Sequence, residues 1–185
     1  MSVLSYYLRI VASAYARTEH NPHDADVRAS YAALTQALEA QYSLLRAFVE
    51  TAFTPSDPYL LSAPMWADIK RGRLFVYTHS DLPSDHPMYG AANLQFRAVH
   101  DAFAHYPERL HHDGLDAEPG YDEFRAFRAH VRLLCGNGPA IRALFTETVA
   151  QNATYHYGAT PGTFAAQKAC VLPQALIVRA LTLEV

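Results

Sequence analysis

The feature that most constrains the fold is an apolar stripe near the start of the chain. Between residues 31 and 49 a large apolar residue recurs at every third or fourth position. Such spacing places side chains on one face of an α-helix. It predicts an amphipathic helix of about five turns that packs on a core. The stripe consists of Tyr31, Leu34, Leu38, Tyr42, Leu45 and Val49. We place the start of this helix at Asn21 and Pro22, which suit a cap and a first turn.

Similar spacing predicts helices elsewhere in the chain. We expect them at residues 2–17, 91–105, 120–134, 139–156 and 163–182, the last interrupted near Pro173. Pro107 should stop one helix, and Gly136 should end another in a left-handed cap. Pro139 suits the first turn of the helix that follows. The sequence therefore predicts a mainly α fold.

The segment from residue 53 to residue 90 breaks the helical pattern. Five prolines lie between Pro55 and Pro87, which predicts irregular connecting structure. Aromatic and β-branched residues from Leu74 to Tyr77 predict one strand. We therefore expect a single irregular helical domain over residues 1–185, metal-binding for the reasons given below, with at most a small β ribbon near residues 73–78.

Composition excludes several classes of protein. The chain is 50% hydrophobic and 18% charged with a net charge of -3, and it has no basic stripe, so neither nucleic acid nor an anionic membrane is an expected partner. No run approaches the ~20 apolar residues that span a bilayer. Cys135 and Cys170 lack metal-ligand spacing, and we expect two buried thiols in a cytoplasmic protein. The sequence leaves open whether the chain forms a homo-oligomer.

The strongest chemical signal lies in NLQFRAVHDAFAHYP, residues 93–107. His100 falls on the buried stripe of its predicted helix, and a buried imidazole needs a polar partner. A lone buried histidine usually bonds to a backbone carbonyl. The presence of His105 and of the adjacent carboxylate Asp101 favours metal ligation instead, because imidazoles and a carboxylate suit iron, zinc or manganese.

The third ligand is expected from a different helix. Glu147 lies in ALFTETVAQN and would complete a site of two histidines and one carboxylate with His100 and His105. Residues five apart on an α-helix are rotated by about 140°, so the two rings converge only by reaching inward or through local distortion of the helix. We give supporting catalytic roles to Gln151, one turn beyond Glu147, and to Asp101, beside the first histidine.

HDAFAHYP and the downstream glutamate resemble the iron-binding motif of the aromatic amino acid hydroxylases. In that family two histidines share one helix, and a glutamate in a later helix is the third iron ligand. Glu147 follows His105 by 42 residues, so the resemblance implies His100, His105 and Glu147 as Fe(II) ligands, with an open face for dioxygen and a small substrate. The chain has Ala104 where the family has glycine. No counterpart of the pterin-binding loop is found, so the resemblance implies iron more than a pterin cofactor.

The resemblance implies a non-haem iron(II) oxygenase-like enzyme that hydroxylates a small organic substrate, aromatic ones included. HDxxxH, TETxxQN and FAxQKAxxLP are also similar to uncharacterised bacterial and phage proteins. One alternative is an HD-type phosphohydrolase, in which His100 and Asp101 both bind a metal together with His79 or His86 and with Asp122. Another is a helical metal-binding or structural protein without catalysis.

Three further groups of residues stay open at this point. Glu123 and His130 are seven apart on one helical face, which allows a supporting role or a second metal site, although exposure or a supporting role is the commoner use of such residues. His156 is an alternative ligand, but a histidine at a helix end is more often exposed. HHD at 111–113 is best explained as a solvated loop.

Overall fold

The computed structural model describes residues 1–59, 62–105 and 118–184. Over these ranges the chain forms seven helices and a two-stranded parallel sheet. The prediction of a mainly α fold with a small sheet is therefore confirmed. No helix in these ranges is both long and apolar enough to cross a bilayer. The predicted stop at Pro107 and the loop at 111–113 lie outside the described residues.

Two of the seven helices contain a π-helical turn. The helices are α1 (Val3–Arg17), α2 (Ala25–Leu45), α3 (Ser62–Lys70), α4 (Ala91–His100, continued by a π turn at Asp101–His105), α5 (Tyr121–Leu133), α6 (Gly138–Phe145, a π turn at Thr146–Ala150, then Gln151–Tyr157) and α7 (Gln174–Thr182). The strands are β1 (Glu50–Thr54) and β2 (Arg73–Tyr77).

The predicted stripe of α2 forms the centre of the core. Tyr31, Leu34 and Leu38 are fully buried, and Leu45 ends the helix in a buried position. Val49 lies beyond the helix and is buried in a second apolar cluster beside the strands. Helix α2 packs on α4 and α6, and α1 packs on the last part of α6. These contacts bury the apolar faces that helical periodicity predicts.

The start of α2 differs from the prediction. The helix begins at Ala25, and the side chain of Asp24 caps it by accepting two backbone N–H groups of the first turn. Asn21 instead donates its backbone N–H to the carbonyl of Ala169 at 2.9 Å. The predicted cap at Asn21 and Pro22 is wrong because that segment is bonded to a distant part of the chain.

The segment after α2 folds into a strand–helix–strand unit. Strands β1 and β2 are parallel, with Glu50 opposite Arg73 and Thr54 opposite Tyr77. Parallel neighbours need a crossover, and α3 supplies it. The strand predicted at 74–77 is confirmed, whereas the prediction of irregular structure is wrong for α3. Pro64 did not exclude a helix there, because it lies in the first turn, where proline is tolerated.

The C-terminal helix is shorter than predicted. Only Gln174–Thr182 is helical, and residues 164–173 adopt no regular structure. The amine of Lys168 donates to the carbonyls of Tyr15, Ala16 and Thr18, which holds this segment against the end of α1. These contacts with α1 take the place of the predicted first half of the helix.

The loop between α5 and α6 agrees with the sequence signals, except that Cys135 is exposed. Gly136 has a φ of 79°, in the left-handed region that its predicted cap requires. Pro139 lies in the first turn of α6, and the side chain of Asn137 accepts the backbone N–H of Ala140. Cys135 is exposed next to this turn, so the prediction of two buried thiols holds only for Cys170.

Candidate metal centre

The π turn of α4 brings the two predicted histidines together. Hydrogen bonds in a π turn run from residue i to residue i+5, so each turn holds more residues than an α-helical one. Side chains five apart therefore lie closer to one face than the rotation of an α-helix allows. The rings of His100 and His105 meet edge to face, with their centroids 4.8 Å apart. Such turns are frequent at functional sites.

Glu123, from the first turn of α5, completes the group. Its Oε1 lies 2.9 Å from Nε2 of His100, and its Oε2 lies 3.1 Å from Nε2 of His105. Gly120 precedes α5 with a φ of 84°, and a Cβ at that position would meet Cδ1 of Leu8 at 2.8 Å. Glycine therefore lets α5 begin close against α1. We call His100, His105 and Glu123 the histidine–Glu123 group.

The charges of the side chains in this group shift the pKa values of Glu123 and His105. Burial alone would raise the pKa of Glu123, but His100 and His105 outweigh it and hold that pKa well below its usual range. Burial lowers the pKa of His105, but the carboxylate of Glu123 outweighs it and raises the pKa to about 9. Without a bound cation, a proton on His105 thus balances the charge of Glu123.

A hydrogen-bonded chain lies behind His100. Its Nδ1 is 3.1 Å from Nδ1 of His130, whose Nε2 is 2.9 Å from Oε1 of Gln41 on α2. His130 is fully buried, and burial, followed by the neighbouring His100, lowers its pKa to about 3. Of the two commoner uses expected for His130, exposure does not apply because the ring is buried, whereas a supporting role agrees with its bond to His100.

A cavity of about 300 Å³ opens beside the group. His105 and Glu123 form part of its wall, and Asp122, Asn152 and His156 also line it. Burial lowers the pKa of His156. A small molecule in this cavity would contact His105 and Glu123, two of the three side chains that could hold a metal.

Glu147 lies in a different polar cluster. Its Oε1 accepts the hydroxyl of Tyr31, its Oε2 accepts the amide of Gln151 at 3.0 Å, and Nε2 of His86 lies 3.4 Å from Oε1. On α2, Tyr31 contacts Glu147, and Gln41 contacts His130 behind the histidine–Glu123 group. These two positions are ten residues apart, which is about 15 Å along the helix. The structure therefore joins the predicted histidines to Glu123 rather than to Glu147.

The two predicted supporting residues divide between these regions. Gln151 orients the carboxylate of Glu147, as its position one turn later predicts, and its Oε1 accepts the amide of Gln167 at 3.1 Å. We call Tyr31, His86, Glu147 and Gln151 the Glu147 cluster. Asp101 lies on the π turn beside His100. Burial raises its pKa, while His105 and His100 act in the opposite direction.

Sequence reasoning did not select Glu123 as the carboxylate ligand. The available signal was the spacing of Glu123 and His130, two turns apart on the face of α5 that also buries Phe127. A carboxylate and an imidazole on an otherwise buried face need polar partners. The histidines of α4 are such partners, but only the packing of α5 on the π turn shows it.

The donor set fits a first-row metal ion. Two imidazole nitrogens and one carboxylate oxygen lie within 4.8 Å of one another. Ligand atoms bonded to one such ion at about 2.1 Å are at most about 4.2 Å apart. A small inward movement of the three side chains would thus place all of them on one ion.

Comparisons of the chain with protein-family models, curated proteins and solved structures give no match.

Proposed function

We propose that the chain is a non-haem iron(II) oxygenase-like enzyme that hydroxylates a small organic substrate. His100, His105 and Glu123 bind the metal in this proposal. The observation that carries it is the convergence of these side chains at the wall of a cavity. Two histidines and one carboxylate with open positions are the ligand set of many iron(II) oxygenases. Bound iron would supply the activation of dioxygen.

The cavity supports a substrate of modest size. Its volume of about 300 Å³ lies at the lower end of the range for small-molecule sites. The amide of Asn152 and the imidazole of His156 offer polar contacts on the wall. A substrate held there would lie next to His105 and Glu123, so the protein would bind it beside the metal and reduce the access of water.

The resemblance to the aromatic amino acid hydroxylases supports the histidine half of this proposal. His100 and His105 keep the order and spacing of that motif. For the carboxylate we propose Glu123 in place of Glu147, because Glu123 faces both imidazoles. Iron(II) remains the expected cofactor, and dioxygen the co-substrate.

The geometry favours this function over the two alternatives. An HD-type phosphohydrolase needs Asp101 as a ligand, but among the described residues only Glu123 joins the two histidines in a metal-sized group. The candidate upstream ligands also lie elsewhere, since His79 pairs with Asp81 at the surface and Nε2 of His86 lies 3.4 Å from Oε1 of Glu147. A purely structural metal site is typically closed, whereas this group meets a cavity.

The experiment is anaerobic loading with iron(II), followed by measurement of stoichiometry and affinity. Wild-type protein should bind one ion. His100→Ala, His105→Ala and Glu123→Ala should each weaken binding by about 100-fold, since each removes one of three ligands. His79→Ala is the matched control, because His79 is exposed. Stoichiometric iron in all three ligand variants would exclude the site.

Nitric oxide tests the open coordination positions. It occupies a free position on iron(II) and changes the electron paramagnetic resonance spectrum. We expect a half-integer spin signal from the loaded wild-type protein on addition of nitric oxide. A loaded protein without this signal would have a closed, structural site and would exclude the oxygenase proposal.

A further inference from the structure

We infer that Gln41 and His130 hold a proton on Nδ1 of His100, so that Nδ1 donates to His130 and Nε2 is the nitrogen that faces Glu123 and the site. The metal-binding consequence rests on the proposed function, whereas the order of the hydrogen bonds does not. Gln41 and His130 are then positioning residues, although neither touches a ligand in the cavity.

The order starts at a backbone carbonyl. The carbonyl oxygen of Leu133 lies 3.4 Å from Nε2 of Gln41. A carbonyl can only accept a hydrogen bond, so the amide NH₂ of Gln41 faces Leu133. This orientation leaves Oε1 of Gln41 directed at Nε2 of His130, 2.9 Å away.

The second step fixes the tautomer of His130. Oε1 of Gln41 can only accept, so Nε2 of His130 carries the proton. The ring nitrogens of His130 bond to His100 and Gln41, neither of which is an anion, and the ring is fully buried. A buried imidazole in such surroundings is neutral and carries one proton. Nδ1 of His130 is therefore an acceptor.

The last step reaches the candidate ligand. Nδ1 of His130 accepts, so Nδ1 of His100, 3.1 Å away, must donate. The remaining nitrogen of His100, Nε2, faces Oε1 of Glu123 at 2.9 Å. Without metal, a hydrogen on Nε2 joins this nitrogen to the carboxylate, which can only accept. A metal ion at Nε2 would take the place of that hydrogen and leave the proton on Nδ1 and the orientation of the ring unchanged. A hydrogen bond to the second nitrogen of a ligand imidazole commonly sets its orientation and raises its basicity.

Nuclear magnetic resonance of the histidine rings tests this order directly. In ¹⁵N-labelled wild-type protein without metal, we expect a protonated Nε2 and a bare Nδ1 on His130. A nitrogen–nitrogen coupling across the hydrogen bond should join Nδ1 of His100 to Nδ1 of His130. A proton on Nδ1 of His130, or a bare Nδ1 on His100, would overturn the inference. This measurement needs no variant and no metal.

Gln41→Leu removes the acceptor that starts the chain. We expect the single tautomer of His130 and the coupling to be lost, and zinc affinity to fall about tenfold, the lower end for loss of a group that supports a metal ligand. Gln36→Leu is the control, because Gln36 is exposed on the same helix. A Gln41→Leu protein that keeps the tautomer and the affinity contradicts the inference. Wild-type protein that shows the predicted tautomers but binds neither zinc nor iron would instead overturn the proposed function alone.

Discussion

The histidine–Glu123 group and the Glu147 cluster contain similar residues, but their carboxylates differ in hydrogen-bond partners and in access to solvent. The carboxylate of Glu147 is buried and accepts hydrogen bonds from Tyr31 and Gln151, with His86 close to it. Its partners are protein groups that already meet its needs. The carboxylate of Glu123 instead faces two imidazole nitrogens, which meet it through a proton or a cation between them.

Access separates the two regions further. His105 and Glu123 are about one quarter and one fifth exposed and border the cavity, whereas Glu147 and His86 are closed off from solvent. A ligand can reach the first region without disturbing the core. The comparison favours the histidine–Glu123 group as the candidate site, because a ligand can reach its carboxylate and imidazoles from the cavity.

The largest expected effect separates the two glutamates in metal binding. Glu123→Gln should weaken iron(II) binding by about 100-fold, because a neutral amide replaces the only anionic ligand. Glu147→Gln is the matched substitution and should leave the affinity within about twofold, since Glu147 lies in the other cluster. Metal titration of both variants decides between them. Equal losses would mean that the two glutamates share one site.

Sequence periodicity predicted most of the fold but not the partner of the histidines. Spacing on α1, α2, α4, α5 and α6 shows which face of each helix is buried, and that information is local. The choice between Glu123 and Glu147 depends on which helix packs against the π turn, which is a long-range property. Both glutamates lie on partly buried faces, so their spacing alone does not separate them.

Three other features were beyond local patterns for identifiable reasons. The π turn changes the register of α4, and the sequence indicated only that some distortion was needed to bring His100 and His105 together. Helix α3 has little amphipathic character, so helical periodicity does not predict its nine residues. No local pattern links Gln41 to its partner His130, because the two residues are 89 positions apart in the chain.

The second effect concerns stability. Glu147→Ala leaves the hydroxyl of Tyr31 and the amide of Gln151 without their acceptor, and each buried unsatisfied donor costs about 1–3 kcal/mol. We expect the free energy of unfolding to fall by about 3 kcal/mol in urea titrations. Glu123→Ala in the metal-free protein is the comparison and should cost less, because His105, one of the two partners of Glu123, reaches solvent at the cavity. If Glu123→Ala lost as much stability or more, Glu147 would not be the glutamate that mainly stabilises the fold, and the prediction would be wrong.

The third effect is a pH dependence confined to the histidine–Glu123 group. The pKa of His105 rises from 6.5 to about 9, so its contribution to stability is complete below pH 6.5 and is lost as the pH rises through 9. The pKa of Glu123 is lowered from 4.5, so its contribution is present above pH 4.5 and is lost at lower pH. Metal binding displaces the proton of His105, and affinity should therefore rise about tenfold per pH unit up to about pH 9.

Urea titrations and metal competition across pH 6.5 to 9 measure both trends. Stability of the metal-free protein should fall over this interval while metal affinity rises. Glu123→Gln removes the charge that holds the proton on His105 and should flatten the fall in stability. Glu147→Gln should keep the wild-type profile. If the pH profile changed only in Glu147→Gln, the titrating groups would lie in the Glu147 cluster, and the prediction would be wrong.

The smallest effect concerns Gln151, whose predicted catalytic role now competes with a structural one. Its amide donates to Glu147, and its Oε1 accepts from Gln167. Gln151→Ala removes one of the two hydrogen bonds to the carboxylate of Glu147, which still accepts the hydroxyl of Tyr31. We therefore expect a loss of about 1 kcal/mol in the free energy of unfolding. Iron affinity and the nitric oxide signal should stay at wild-type values. A loss of either at unchanged stability would mean that Gln151 acts on the metal centre, and it would join the two clusters into one functional site.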